Sequence, residues 1–568
     1  MKKIFIIMMS VVMFASCEDF LTVTPQDSLV ADNYYTSETA LRANTASLYG
    51  KAWWDFHSQF MWLGGDELAG DLYYTYDQEG HYYYNKVGAG NTYNNTGWVG
   101  LYRVISYTNS IINDMPAPAK KNGVPEDAIN RAISEAKTIR ATAYFFLTEY
   151  WGEIPIIENS TDLITSSDPS AIYVNKNLQS NLYRFICEDL EFAMKYLPSV
   201  DEQAGRVTKW SAEGLLAKVY LTRAAYEKSA EYYTKAKDYA YDVIEHSGHT
   251  LWSDYSTMFD VKANNNSESL IAIQCMTGEY GDGSSRNVNF SRGSRIADQT
   301  WGAGKGPTIS LQNLYEQGDY RRKWVFMTNG DYYPNLDKAN GGYTYRYTYR
   351  DPGNIDTKVE SSSEMLAHIK KYVIGKAADC DNQVGLNQDA GNNIYLLRLS
   401  DVYMVYAEAC IGTGTSTTDA KALEYVNKIR TRAKLVDLPS PLTYTTLLNE
   451  RRKEFAFEGI NWLDIKRYYY RDAEAAYAYL NDMKRDQIYR MDFSTGYNDM
   501  STADKYVFEN NKANYKLSWQ TLSDVNDYDS RVNNIVFNKS SMYIPIPAAV
   551  TTKAPILNEA AVDYYANK

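Results

Sequence analysis

WSAEGLLAKVYLTRAAYEKSAEYYTKAKDYAYDVIEH, residues 210–246, decides the fold class. Between Trp210 and Tyr226, the residues Leu216, Tyr220 and Ala224 recur at four-residue spacing and share one helical face. After a short break, the stretch from Glu231 to His246 carries Ala236 and Ala240 at the same spacing. Small side chains at such positions let two antiparallel helices approach closely. A packed helix pair is predicted here.

The pattern repeats outward from that pair. Toward the C-terminus come Leu399 to Ala409, a turn at Gly412–Gly414, and Ala420 to Ala433. A third pair runs around Leu447 to Glu458 and Trp462 to Tyr469, with Gly459 between them. Toward the N-terminus, a helix is expected from Ser37 to Tyr49, with Ser37 as its cap. Another spans Ile133 to Tyr150, where Ile133, Ala136, Ala143 and Leu147 form one stripe that also holds Arg140. Gly152 and Pro155 stop it, and Arg140 reads as a paired packing residue. Units of about 34 residues with small and aromatic contacts point to tetratricopeptide-like packing. The expected fold is mostly α: a tetratricopeptide-like helix-pair scaffold with long loop-rich insertions and minor β hairpins.

The insertions differ in character. Residues 64–100 are rich in Gly, Asn, Asp and Tyr, and residues 278–307 in Gly, Ser and Arg, the latter opening an insertion that extends to about 360. Between Asn329 and Asp351 a hairpin is expected, in which YTYRYTYR puts Tyr343, Tyr345, Tyr347 and Tyr349 on one strand face. Residues 493–534 are polar and irregular. Loops of such length in a compact protein are usually functional. MYIPIPAAV, 542–550, is extended because Pro545 and Pro547 forbid helix.

The N-terminus speaks to compartment. Lys2 and Lys3 precede a mostly apolar run from Ile4 to Ala15, the length of a signal-peptide core. A bilayer-spanning helix needs roughly 20 apolar residues, so this run is too short. Ala15 and Ser16 then precede Cys17, an arrangement that looks like a bacterial lipobox with Phe14 in place of the usual leucine. Residues 1–16 are read as a signal peptide and 17–25 as a tether lipidated on Cys17; ordinary secretion with an incidental thiol is the alternative. No later segment looks apolar enough to span. Without Lys2 and Lys3, 56 basic groups face 70 acidic ones, a net −14 that disfavours nucleic acid or an anionic membrane face as partner. Cys187, Cys275, Cys380 and Cys410 are too scattered for a zinc cluster or a disulfide framework.

Catalytic motifs are scarce. No HExxH or nucleophile elbow appears, and GAGKGPT at 302–308 is only a weak fragment of a phosphate loop. In ERRKEFAFEG, Phe455 and Phe457 read as packing residues, while Arg451, Arg452, Glu454 and Glu458 can pair along one helix surface. His246 and His249 lie at a helix end, where a dipole role outweighs a metal role. Neither a metal nor a cofactor is indicated. The compositional bias is aromatic, with 52 Tyr and 11 Trp. Sugar rings lay flat C–H faces on aromatic rings, while their hydroxyls need paired donors and acceptors. GGDELAGDLYYTYDQEGHYYYN, 64–85, supplies both kinds of group, with Asp66, Glu67, Asp71, Tyr73, Tyr74, Tyr76 and Tyr83 as candidates. Tyr280, Arg292 and Trp301 form a second candidate set. Helical tyrosines such as Tyr220, Tyr239, Tyr403 and Tyr406, and Trp98 in WVGLYRVI, are assigned to the core.

Several segments together resemble the SusD/RagB family of outer-membrane nutrient-binding lipoproteins. They are CEDFLTVTPQDSL (17–29), ISEAKTIRATAYFFLTEYWGEIP (133–155), GRVTKWSAEGLLAKVYL (205–221), YLLRLSDVYMVYAEA (395–409), ERRKEFAFEGINWLDIKR (450–467) and YIPIPAAVTTKAPILN (543–558). The resemblance implies one SusD-like domain over 26–568, with ligand-facing insertions near 64–100, 278–360 and 493–534. It also implies surface display at the outer membrane, helped by the Glu18–Asp19 pair, and a SusC-like TonB-dependent transporter as partner. An oligosaccharide is the usual cargo in that family, and its ligand face is built partly from the early loop region. The expected function is non-catalytic glycan binding and delivery; the alternatives are a peptide or other non-sugar cargo, or a lid for the transporter. A secreted hydrolase is the remaining, enzymatic alternative.

Overall fold

The computed structural model describes residues 34–566 except 329, 346–347, 351–358, 362–364, 366, 489–526 and 529–534. The signal run, Cys17, the tether and nearly all of the 493–534 insertion lie outside the described residues.

The helices that build the scaffold are α1 (Glu38–Ala46), α2 (Thr92–Asn113), α3 (Glu126–Trp151), α4 (Gln179–Tyr196), α5 (Lys209–Glu227) and α6 (Ala230–His246). After a long insertion come α7 (Leu399–Ile411), α8 (Ala420–Arg432), α9 (Tyr444–Phe455), α10 (Asn461–Arg471) and α11 (Ala473–Asp482). Neighbours pack in sequence from α2 through α6, and α6 then packs on α7 and α7 on α8, so the solenoid continues across the insertion. This is the predicted tetratricopeptide-like array. Among the described residues no helix is long and apolar enough to cross a membrane.

Local chemistry explains the boundaries. Ser37 caps α1 by accepting from the Ala40 amide, and Thr208 forms a capping box with Ser211 at the start of α5. Helix α5 touches α4, α6, α7 and α10 and is therefore buried on nearly all sides. Ala217, Ala224, Ala236 and Ala240 are sealed between α5 and its neighbours, and Tyr220 stacks on Tyr239 at 5.8 Å. Arg140 does pair within the core, donating to Asp189 at 2.7 and 2.8 Å and to Asn109 at 2.9 Å.

The ERRKEF helix departs from expectation. Apart from Glu450 with Lys453 at 2.9 Å, its charges do not pair along one helix surface; they reach across the fold. Arg451 meets Asp401 and Asp464, Glu454 meets Arg321 and Arg398, and Glu458 meets Arg398 and Lys371, at 2.7–3.1 Å. Glu268 binds Arg398 and Arg432 in the same buried network. A helix surrounded by protein finds its counter-charges on other elements, because leaving any one of them unpaired away from water is costly.

The 64–100 stretch is also less loop-like than its composition. Residues 51–67 run as an irregular helix of tight and wide turns, and Thr92 already begins α2. The glycines that suggested a loop serve close packing instead. A Cβ on Gly97 would sit 2.3 Å from the Phe60 ring, and one on Gly65 would sit 2.1 Å from the Gly459 carbonyl oxygen. Only 68–91 is largely irregular, apart from the two-residue strand Leu72–Tyr73 and a short helical turn at Gly80–Tyr83.

Strands are short and paired two by two. Within the long insertion, Ser269–Ile273 pairs with Ile394–Arg398 and closes its base against α5. A hairpin forms between Asn329 and Asp351 as expected, but the tyrosine run is split between two ladders. Tyr343–Thr344 pairs with Tyr332–Tyr333, whereas Thr348–Arg350 pairs with Val359–Ser361. Tyr343 and Tyr345 are both buried. Tyr347 lies outside the described residues, as does the Tyr349 side chain.

Candidate functional site

A two-residue ladder joins the two candidate loops. Leu72–Tyr73 pairs antiparallel with Gly306–Pro307, which brings segment 64–85 against segment 278–308. The ladder is extended when Thr308 donates from its amide to the Asp71 carbonyl and from its hydroxyl to the Gly70 carbonyl, both at 2.8 Å. The sequence treats these loops as separate sets; the ladder joins the first to the 306–308 end of the second.

Beside the ladder lies a polar strut that the sequence did not single out. Lys305, in the GAGKGPT fragment, is buried with its ammonium 4.6 Å from the centroids of both Trp62 and Tyr74. Burial lowers its affinity for a proton, against the attraction of Glu79 and Glu67. Glu79 is buried as well; desolvation raises its carboxyl, with Lys305 and a hydrogen bond from Tyr74 opposing, and Gln59 donates to it at 3.3 Å. This fragment is a rivet between loops and no phosphate cradle. Its signal was there in the sequence, a lone lysine among glycines between two aromatic segments, but no spacing rule names its partners.

Some of the candidate rings reach the surface. Tyr74 is half-buried, 6.3 Å from the Tyr76 ring at a 38° tilt. Tyr76 is 70% exposed, Tyr280 58% and Trp301 46%, which is far outside the range of core aromatics. Trp301 opens the turn that leads to Lys305, and a Cβ on Gly304 of that turn would lie 3.1 Å from the Tyr74 ring. Tyr280 rests edge-on against Trp54 at 4.8 Å, so its ring is held although exposed. Trp54, on the irregular helix, is a supporting residue that the sequence reading missed, because it sat inside an aromatic run with no periodicity to set it apart.

The remaining candidates sit beneath the surface. Asp66, Glu67, Asp71, Tyr73, Tyr83 and Arg292 are buried, which removes their side chains from direct ligand contact. Their chemistry is structural. Asp66 accepts from the Phe457 amide at 3.0 Å, and Asp71 accepts from Asn461 at 2.6 Å and from Arg452. Tyr83 donates to the Arg485 carbonyl at 2.6 Å and packs edge-on against Tyr73. Arg292 lies over the Tyr345 ring at 4.9 Å. Burial raises the Glu67 carboxyl well above the carboxylate range, reinforced by Glu79 and opposed by Lys305. Acidic groups in a tyrosine-rich loop were read as hydroxyl partners; they are the loop's roots, since carboxylates are what a short segment needs to bind buried arginine and backbone amides.

Such an arrangement can hold a flat, hydroxylated molecule. Exposed rings supply apolar platforms, and Tyr76 and Tyr280 bring hydroxyl groups with them.

Two sequence models cover most of the chain. Residues 237–564 match that of the SusD family, and residues 20–221 match one described as starch-binding associating with outer membrane. The chain is 32% identical to a SusD-like protein of Bacteroides ovatus, in an alignment spanning 100% of this chain and 99% of that one. A crystal structure solved with a xylogluco-oligosaccharide superposes at a TM-score of 0.77 with 28% identity, covering 93% of this chain and all of that one. A laminarin-binding SusD-like protein shares the fold at a TM-score of 0.61 with 24% identity, covering 79% of this chain and 94% of that one.

Proposed function

The chain belongs to the SusD family, and from that premise we propose that it binds an oligosaccharide on the rim of exposed rings formed by Tyr74, Tyr76, Tyr280 and Trp301. The observation that carries this reading is the exposure of Tyr76, Tyr280 and Trp301 on segments pinned by buried polar groups. An unsupported exposed tryptophan would be a solubility burden; a supported one is a platform. The similarity to a structure solved with a xylogluco-oligosaccharide adds weight to a sugar over a peptide.

The binding is non-catalytic. Glycoside hydrolysis needs two carboxyl groups roughly 5–9.5 Å apart across an open cleft. The carboxylates beneath these rings, Glu67 and Glu79, are buried around Lys305 instead.

Residues 1–16 act as a signal peptide, Cys17 carries lipid, 17–25 form a tether, and 26–568 form one domain at the outer membrane, facing outward. From there the protein passes its cargo to a SusC-like TonB-dependent transporter. Anchoring both partners in one membrane raises their effective concentration, so weak sugar affinity suffices for transfer. Calorimetric titration with xylogluco-oligosaccharide, laminarin oligosaccharides and mixed peptides tests the cargo. Saturable binding of a saccharide, lost on Trp301→Ala with Tyr76→Ala, is expected; binding of peptides alone refutes the reading.

A further inference from the structure

A cleft of about 690 Å³ opens where α3, α5 and α10 end and the C-terminal segment crosses them. None of its lining residues comes from the 64–85 or 278–308 segments. Its volume falls within the range of small-ligand sites, roughly 300–1,000 Å³. Tyr226, Tyr469 and Tyr543, all half-buried, form its walls.

The floor is built. Gln179 is buried and donates to the Tyr470 hydroxyl at 2.7 Å and the Tyr183 hydroxyl at 2.9 Å, while accepting from Tyr543 at 3.0 Å. Tyr183 in turn donates to buried Glu149 at 2.6 Å. This chain fixes the orientation of the Tyr470 and Tyr543 rings from below. The ammonium of buried Lys466 lies 3.1 Å from the Tyr543 ring centroid and donates to the Met542 carbonyl at 2.8 Å, which holds the crossing segment in place.

The rim supplies hydrogen-bonding groups of both kinds. Lys176, Lys228 and Lys539 line it, with the Lys228 ammonium already donating to the Tyr470 carbonyl and, at 3.0 Å, to the Arg471 carbonyl. Glu153 stands among them. Three helix C-terminal ends and two N-terminal ends, at Gln179 and Ala473, meet here, so the partial charges of the helix ends largely cancel. Oriented rings with donors and acceptors around them suit a polyol, because every sugar hydroxyl both gives and takes a hydrogen bond.

We propose that this cleft is a second saccharide site, taking a short oligosaccharide independently of the exposed-ring rim. It goes beyond the function proposed above and stands without it.

The test uses the full chain with Tyr74→Ala, Tyr76→Ala, Tyr280→Ala and Trp301→Ala combined, so that the rim cannot contribute. Cellobiose, maltose, xylobiose and mannobiose are titrated separately and followed by saturation-transfer NMR. Binding of at least one of the four is expected, weakened tenfold or more by Tyr469→Ala or by Lys539→Ala, both at partly exposed positions, with the melting temperature unchanged. Absence of binding for all four, or binding indifferent to both cleft substitutions, overturns the proposal. Failure of the rim reading is seen separately, as a wild-type affinity that the combined rim substitution leaves unaltered.

Discussion

Arg452 and Asp71 stand 381 positions apart in sequence and are bonded in the interior, Nε to carboxylate, with both side chains sealed from water. Asn461 takes the other Asp71 oxygen at 2.6 Å. Asp71 is thereby one of the points that fasten the ring-bearing segment to the helical array. Burial pushes that carboxyl up, and Arg452 with Asn461 pull against it. Replacing Arg452 by Met strands a buried acid. The expected loss is about 3–5 kcal/mol in unfolding free energy, read by urea denaturation. Adding Asp71→Asn to Arg452→Met should recover part of it; a single Arg452→Met chain as stable as wild type refutes the account.

Trp301→Ala and Tyr76→Ala act at the opposite extreme, on exposed rings with little structural burden. Each should weaken saccharide binding by about 10- to 30-fold, or ~1.4–2 kcal/mol. The melting temperature should stay within about a degree, since surface substitutions rarely exceed ~0.5 kcal/mol. Calorimetry alongside thermal melting separates the two effects. Tyr73→Phe, which alters a buried ring, should leave affinity intact.

Gly65→Ala inserts a methyl group where the Gly459 carbonyl oxygen lies 2.1 Å away. Backbone faces backbone there, so no flexible side chain can yield. A loss of at least 2–3 kcal/mol is expected, of the overpacking kind. Gly88→Ala, with nothing within 4 Å of the added atom, is the control and should be near neutral. Parallel denaturation curves for the two variants decide the matter.

Stability should respond to pH from both sides. Burial raises the Glu149 carboxyl from 4.5 to about 7, with Lys466 and Tyr183 opposing. Between those values the folded chain keeps a proton that the unfolded chain has released. Stability therefore falls as pH rises from about 4.5 to 7, by on the order of 3 kcal/mol at most. Glu149→Gln should flatten that limb in denaturation profiles. At Glu454 burial also works upward, but Arg432, Arg398 and Arg321 outweigh it and hold the carboxyl well below the usual range. Its contribution is present above pH 4.5 and is lost as the pH falls toward its depressed value. A profile that rises steadily from pH 5 to 8 contradicts the Glu149 assignment.

Legibility differed by element. The α5–α6 pair was readable to within a residue, because alanines and tyrosines at four-residue spacing leave only one way to bury a face. The 64–100 stretch was not, since glycine permits a loop and a close helix contact equally, and only the presence of the Phe60 ring against Gly97 decides between them. Tyr76, Tyr280 and Trp301 are exposed, yet nothing in their spacing distinguishes them from Tyr73 and Tyr83, which are buried.

By itself the sequence determined the helical periods, the caps, the breaks and the family, because those depend on neighbours three or four positions away or on stretches matched whole. Which acid bonds which arginine, which tyrosine faces water, and how two loops share a ladder were decided only by the tertiary structure. Those outcomes join residues hundreds of positions apart, as with Asp71 and Arg452, and the free energy of burying a charge or exposing a ring is set by whatever the fold brings beside it.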